Sequence, residues 1–272
     1  MRGSSGENFE ESSFKVVRRK LSENFSPLNA AAGNLATVCE LKQLLVANSP
    51  DIVFLYEIKI YAMKLESIWV KCQMAGCLGF DPEGRKGGLA IMWKDKIEVT
   101  IQNNCSHHID SLVKLDDSTS LRFTGFYGFA KLNLHGHSWD LLKSIGESVS
   151  KDWIVGGVFN AILNDSEKFE GRRKSRVDME DFQRTIEELA LAGIKTDKGW
   201  FMWTNNREGN GLIKERLDRF LFFATGVENT PFLSTYVLRQ ACSDHDAVVL
   251  DTLGHKPRDE VKDPILLFKF EA

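Results

Sequence analysis

An α/β protein in which helices cover packed sheets is what the sequence predicts, on three observations. Short continuous apolar runs, such as Ile52-Val53-Phe54-Leu55-Tyr56 and Trp153-Ile154-Val155-Gly156-Gly157-Val158, suit strands buried on both faces. Stretches with apolar residues at helical spacing are interspersed among them. The chain has 272 residues, 43% of them hydrophobic and 27% charged, which is an ordinary globular balance with enough length for a sizeable core.

Taken in order, residues 1–27 are polar and without periodicity, and read as a flexible leader carrying one short basic patch, Lys15–Lys20. Such a patch is usually a solvated face. From Asn34 onward Val38, Leu41, Leu44 and Leu45 recur at helical spacing up to Asn48, where Ser49-Pro50 stops the helix. The strand at 52–56 follows, with Glu57 at its C-terminal end. A helix is expected over about 62–75. Strands are expected at 87–93, 97–101, 110–115 and 121–127, with Asp116-Asp117 as a turn between the last two. Trp139 to Ser148 reads as a helix, and 153–160 as a buried strand running into a loop. Arg172, Arg173, Lys174 and Arg176 form a basic loop, and Met179 to Ala192 is amphipathic through Phe182, Ile186 and Leu189. Strands at 201–204 and 216–222 flank Asn205-Asn206-Arg207, and a last strand at 247–250 follows Ser243-Asp244-His245.

Charge and cysteine content narrow the classes. Lys and Arg number 35 against 38 Asp and Glu, a net charge of −3 that argues neither for nor against nucleic acid, because a neutral protein can carry one basic face. Five cysteines, an odd number without a CxxC, disfavour a disulfide framework or a zinc ribbon. Reduced thiols fit a nuclear or cytoplasmic protein. The first residues, MRGSSGENFEESSF, hold no apolar core of a secretory signal, and no run approaches transmembrane length, so a membrane partner is not expected. His107-His108 and His135-x-His137 offer two imidazoles each without a third ligand, which is a poor metal site. GRKGG (84–88) lacks the ending of a phosphate-cradling loop and reads as a hairpin turn.

Polar residues terminate several of the apolar runs: Asn29, Glu57, Tyr127, Asn160, Asp218 and the pair Asp244-His245. Packed sheets bring strand ends together, and a rigid scaffold presents functional groups there. Carboxylates and amides are hard oxygen ligands suited to Mg2+. A histidine flanked by an aspartate can be held in one tautomer and can hold charge against a phosphate. Tyrosine and asparagine can donate hydrogen bonds to phosphoryl oxygens.

These residues lie in segments that resemble the endonuclease/exonuclease/phosphatase superfamily, and more narrowly the endonuclease domain of plant LINE-type (non-LTR) retrotransposons. The resemblance is carried by LNAAAGN (28–34), SPDIVFLYEIK (49–59), GRKGGLAIMWK (84–94), RFTGFYG (122–128), WIVGGVFNAILNDSEK (153–168), FMWTNNR (201–207), ERLDRFL (215–221) and SDHDAVVL (243–250), with FKFEA (268–272) resembling the segment just beyond. It covers roughly residues 28–272 and implies a four-layered α/β sandwich of the deoxyribonuclease I type. In that fold two packed sheets, mainly antiparallel or mixed, are flanked by helices. It implies hydrolysis of phosphodiester or phosphomonoester bonds with a divalent metal, Mg2+ or also Mn2+. By the same resemblance Glu57, Asn29 and Asp244 would belong to the metal and phosphate cleft, and Asp218 would be a further acid in it. Tyr127 and Asn160 would contact the scissile phosphate, and His245 would stabilise or protonate it. DNA is the implied partner; the charge of Arg172, Arg173, Lys174 and Arg176, rather than the resemblance, suggests that this loop touches its backbone. A monomer without a small-molecule cofactor is expected.

The sequence departs from the family pattern at three places. Where the superfamily reads Gly-Asp-Phe-Asn, this chain has Gly157-Val158-Phe159-Asn160, and the lost aspartate is the residue expected to orient or deprotonate the attacking water. Valine cannot bind a proton, and losing general-base assistance costs about 10²–10⁴ in rate. The first motif, Trp-Asn-Cys-Arg-Gly in the family, is Leu28-Asn29-Ala30-Ala31-Ala32 here, and Phe129-Ala130 follows Tyr127-Gly128 where a polar residue and proline are usual. A folded but catalytically impaired nuclease domain is therefore expected. A non-catalytic nucleic-acid-binding remnant and another phosphatase or nuclease of the superfamily stand as alternatives.

Overall fold

The apolar run at 52–58 is buried on both faces, and that double burial generates the layering of the molecule. The computed structural model describes residues 14–20, 30–59, 62–81, 87–115, 119–149, 152–194, 196–223, 232–239 and 243–254. In chain order the elements are β1 (Lys15–Lys20), α1 (Ala30–Asn48), β2 (Ile52–Ile58), α2 (Ala62–Lys71), β3 (Gly76–Gly79), β4 (Gly88–Trp93) and β5 (Glu98–Cys105). Then come β6 (His108–Lys114), β7 (Ser120–Tyr127), α3 (His135–Gly146), β8 (Trp153–Val158), β9 (Lys168–Phe169), α4 (Arg176–Glu188) and β10 (Leu191–Gly193). The last are β11 (Thr196–Lys198), β12 (Trp203–Thr204), β13 (Lys214–Glu215), β14 (Asp218–Phe223), β15 (Ser234–Leu238) and β16 (Ala247–Asp251).

One mixed sheet has the order β11-β15-β16-β1-β2-β4-β3 and the other β10-β14-β8-β7-β6-β5, while β12, β13 and β9 form a small third sheet. Side chains alternate along each strand. Ile52, Phe54 and Tyr56 therefore point into the layer between the sheets, where they meet Phe123, Ile154, Val158 and Phe220. Val53 and Leu55 point the other way, onto Leu41, Leu44, Leu65 and Ile68 of α1 and α2. On the second sheet Trp153, Val155 and Leu221 face Trp139, Leu142, Phe182 and Ile186 of α3 and α4. Helices, sheet, sheet and helices make the four layers expected of the sequence, and two-sided burial is why the central strands read as unbroken apolar runs.

The differences from the sequence reading have local causes. Lys15–Lys20, expected in a flexible leader, is a central strand: β1 runs parallel to β2 and antiparallel to β16. Only Val16 and Val17 supply its apolar faces, too short a pattern to stand out between charged neighbours. The helix expected over 179–192 begins at Arg176, capped by the Ser175 hydroxyl, and ends at Glu188. Ala190 takes a positive φ of 49° and turns the chain into β10. The 139–148 helix starts a turn earlier, at His135. The turn at Asp116-Asp117, Cys242 and most of GRKGG lie outside the described residues.

One close approach fixes the strand that leads to the site. A Cβ on Gly157 would lie 1.8 Å from the carbonyl oxygen of Phe126, so no other residue fits there between β8 and β7.

Candidate functional site

Strand ends converge where β2, β7 and β8 finish and β14 begins. In the second sheet Val158 is paired with Tyr127 of the parallel neighbour β7 and with Asp218 of the antiparallel neighbour β14. Val158 faces the layer between the sheets and is fully buried. An aliphatic side chain thus stands in the row between a tyrosine and an aspartate.

Asp218 is also fully buried, and both of its oxygens are engaged. Oδ2 lies 2.9 Å from His245 Nδ1, and Oδ1 accepts a hydrogen bond from the Tyr56 hydroxyl at 3.1 Å. With Nδ1–H donating a hydrogen bond to the carboxylate, the imidazole is left with Nε2 for the site. The Tyr56 ring meets His245 edge-on at 5.8 Å and stacks with Tyr127 at 6.0 Å.

Tyr127 donates its hydroxyl proton to Glu57 Oε1 at 2.8 Å. Burial, chiefly, pushes its pKa well above the ordinary tyrosine value, and the negative charges of Glu57, Asp244 and Asp218 add to the effect. The phenol is therefore a neutral donor throughout the physiological range. Glu57 occupies a bulge, because the pairing of β2 with β4 slips between Leu55 and Ile58. Its φ of 53° and that of Asn160, 57°, lie in the left-handed region, a strain of about 1–3 kcal/mol that is smaller for asparagine. Asn160 donates from Nδ2 to the carbonyl of Gly128 at 2.8 Å, tying the loop after β8 to the residue that follows Tyr127.

Asp244 does not partner the histidine next to it. Its Oδ2 accepts the indole N–H of Trp203 at 3.3 Å, and its carbonyl accepts the N–H of Thr204. A bridge between Trp203 and His245 completes the anchor, so β12 holds the Asp244-His245 turn against the start of β14. The partner of His245 comes instead from a strand 27 residues away.

Glu57, Tyr127, Val158, Asp218, Asp244 and His245 are thus joined by direct contacts or by Tyr56 and Trp203, and Asn160 is joined to them through Gly128. Asn29 lies outside the described residues. Tyr56 is the functional neighbour that sequence reasoning passed over. Its place in the 52, 54, 56 alternation signals which face it takes but not the aspartate it meets. Trp203 belongs to FMWTNNR, and only the fold reveals its bond to Asp244.

The basic loop stands apart from these residues. Arg172, Arg173 and Arg176 are exposed. Lys174 is ion-paired to Glu215 of β13 at 2.9 Å, and Arg176 to Glu180 at 2.9 Å within α4. Arg173, Lys174 and Arg176 line an open cleft of about 420 Å³ with Asn164 and Gln183, and none of Glu57, Tyr127, Asp218, Asp244 and His245 borders it.

A divalent cation takes several hard oxygen donors. Among the described residues no three His, Cys, Asp or Glu side chains gather closely enough to hold one, and Glu57 gives Oε1 to Tyr127. The described side chains alone do not make a cation site. No helix among them is long and apolar enough to cross a membrane.

No curated protein matches the chain in sequence. Among solved structures it is similar to the endonuclease domain of TRAS1, a telomere-specific non-LTR retrotransposon, with 16% identity and a TM-score of 0.63 over 90% of this chain and 100% of that one. An AP endonuclease from Archaeoglobus fulgidus gives 15% identity and a TM-score of 0.63 over 87% and 98%. TDP2 from D. rerio, in complex with a single-strand DNA product, gives 14% and 0.57 over 89% and 99%. At such identities the likeness is one of fold. The sequence match is wider in meaning: residues 21–245 fit the Endonuclease/Exonuclease/phosphatase family, and the chain belongs to it.

Proposed function

We propose that this chain is a DNA-directed phosphodiesterase domain of the LINE retrotransposon type whose hydrolytic step is impaired by Val158. The observation that carries the reading is the placement of Val158 in the row between Tyr127 and Asp218, fully buried and without an acceptor. Polar groups suited to a phosphate remain: the neutral phenol of Tyr127, which would have to turn its proton from Glu57, the second N–H of the Asn160 amide, and Nε2 of the His245 ring that Asp218 holds, a donor when protonated. Such preorganised groups neutralise charge that develops on a phosphoryl centre. What the chain lacks at 158 is a group to take the proton of the attacking water. RFTGFYG and FMWTNNR support the retrotransposon type, and the fold likeness to the TRAS1 domain points the same way.

Exposed Arg172 and Arg173 favour a second reading, in which the domain binds nucleic acid without cleaving it. One experiment separates the two. Nicking of supercoiled plasmid is measured with Mg2+ and with Mn2+ for the unmodified chain and for Val158→Asp, after thermal melts establish that both are folded. Slow or absent nicking by the unmodified chain and a gain of about 10²–10⁴ in the variant are expected. Robust nicking by the unmodified chain removes the impairment. Binding without cleavage in both leaves the remnant reading. Abasic DNA, RNA and inositol phosphates in the same assay test for another superfamily activity.

A further inference from the structure

The hairpin joining β5 to β6 carries a second pair of reactive groups, separate from the strand-end cluster. Cys105 closes β5 and His108 opens β6, and the two are opposite one another in the register. Cys105 Sγ lies 3.1 Å from His108 Nδ1. The His107 backbone N–H donates to the same sulfur at 3.3 Å. Cys105 is partly exposed, whereas His108 is buried.

We propose that Cys105 is a thiol-modification site, with His108 as its base and a small aliphatic disulfide of the glutathione type as its reactant. His108 Nε2 is buried without a hydrogen-bond partner, so the polar capacity of the ring is directed through Nδ1 at the thiol. Burial lowers the His108 pKa; nearby Asp110 opposes the shift and His107 reinforces it. Asp110 is itself committed to Arg122 and Thr124. In the tautomer that keeps its proton on Nε2, the neutral ring presents the Nδ1 lone pair to the thiol at 3.1 Å.

The exchange balances within the pair and the reactant. The thiol proton passes to His108 Nδ1 as Sγ attacks one sulfur of the disulfide. A new S–S bond forms, the old one breaks, and the departing thiolate takes the proton from His108. Cys105 ends as a mixed disulfide, and half of the reactant is reduced to a thiol. Other cysteines are poorer candidates. Burial raises the thiol pKa of Cys72, and pushes that of Cys77 up to about 11. Cys39 is exposed and serves as an internal reference. The hairpin also touches the candidate site, since His107 Nδ1 lies 2.8 Å from the Tyr127 carbonyl and its ring stacks on Phe129 at 3.8 Å. An adduct on Cys105 would form beside that contact.

The test treats the whole protein at pH 7 with oxidised glutathione, quenches with acid over time and maps adducts by peptide mass. Cys105 is expected to form its adduct at least about tenfold faster than Cys39, because assisted deprotonation outweighs its partial shielding. Equal or slower modification at Cys105 overturns the proposal without any variant being needed. In His108→Gln the Cys105 rate is expected to fall to that of Cys39 or below, with the Cys39 rate unchanged. An undiminished Cys105 rate in that folded variant overturns the role of His108. The assay contains no nucleic acid, so its outcome is independent of the function proposed above.

Discussion

Tyr56 and Asp218, 162 residues apart, meet between the two sheets through a hydrogen bond of 3.1 Å from the phenol to Oδ1. The bond joins β2 of one sheet to β14 of the other at the point where Asp218 also holds His245. A buried carboxylate costs free energy unless its oxygens are matched by donors. Tyr56 thus steadies the group that orients the imidazole.

Replacing Tyr56 by Phe keeps the ring stacked with Tyr127 and removes one donor from Asp218. A loss of about 1–3 kcal/mol in unfolding free energy is expected, the cost of under-satisfying a buried polar atom. Chemical denaturation of the variant and its parent measures it. A change below a few tenths of a kcal/mol would mean that the bond contributes nothing net.

Val158→Asp introduces the residue that the resemblance leads one to expect but places a carboxylate in a buried row beside Asp218. Burial and the like charge both raise the pKa of the new group above the usual carboxylate value of about 3.9. Its neutral form is then the better tolerated one in the folded state. The destabilisation relative to the parent should be smallest near pH 4 and grow to about 3 kcal/mol as pH rises through the raised pKa. Thermal melts at pH 4.5, 6 and 8 follow the gap; a gap that shrinks with rising pH contradicts the assignment.

The Tyr127 phenol, neutral and buried, predicts an alkaline limb of stability. Its folded pKa is raised above the ordinary value of 10.0, so its stabilisation is complete below pH 10 and is lost as pH climbs toward the folded value. Burial raises Tyr236 as well, though Lys15 partly opposes it. Tyr127→Phe should flatten the fall of stability between pH 9.5 and 11, leaving the share due to Tyr236. Melts across that range decide, and identical slopes in variant and parent would falsify the effect.

Within the basic loop the charges are not equivalent. Lys174 is paired with Glu215, which it shares with Lys168, and Arg176, though exposed, is paired with Glu180; Arg172 and Arg173 are exposed and in no ion pair among the described residues. If the domain binds DNA as proposed, Arg172→Ala with Arg173→Ala should reduce the slope of log affinity against log salt by up to about 2, near 0.9 for each phosphate that is no longer neutralised. The double variant Lys174→Ala with Arg176→Ala should change it less. Titrations at several salt concentrations compare the two.

A fold of this kind is legible in sequence where burial is two-sided or where a motif is local. The runs at 52–58 and 153–158 announce central strands because both faces are covered, one by the opposite sheet and one by helices. Glu57, Tyr127, Asn160, Asp218, Asp244 and His245 stand out because each ends such a run or sits in a short motif. β1 stays hidden, since two valines between charged residues carry too little pattern to mark a strand that gains its burial from β2 and β16.

The layered class, the inventory of polar strand ends and the valine where an acid is expected are all written in the amino-acid order. Which of these groups meet is settled by folding. His245 turns from the aspartate beside it to Asp218, Asp244 takes Trp203, and Tyr56 reaches across to the other sheet. Periodicity tells which face a side chain takes, whereas its partner is set by strand register and by how two twisted sheets pack, and neither is encoded within one segment of chain.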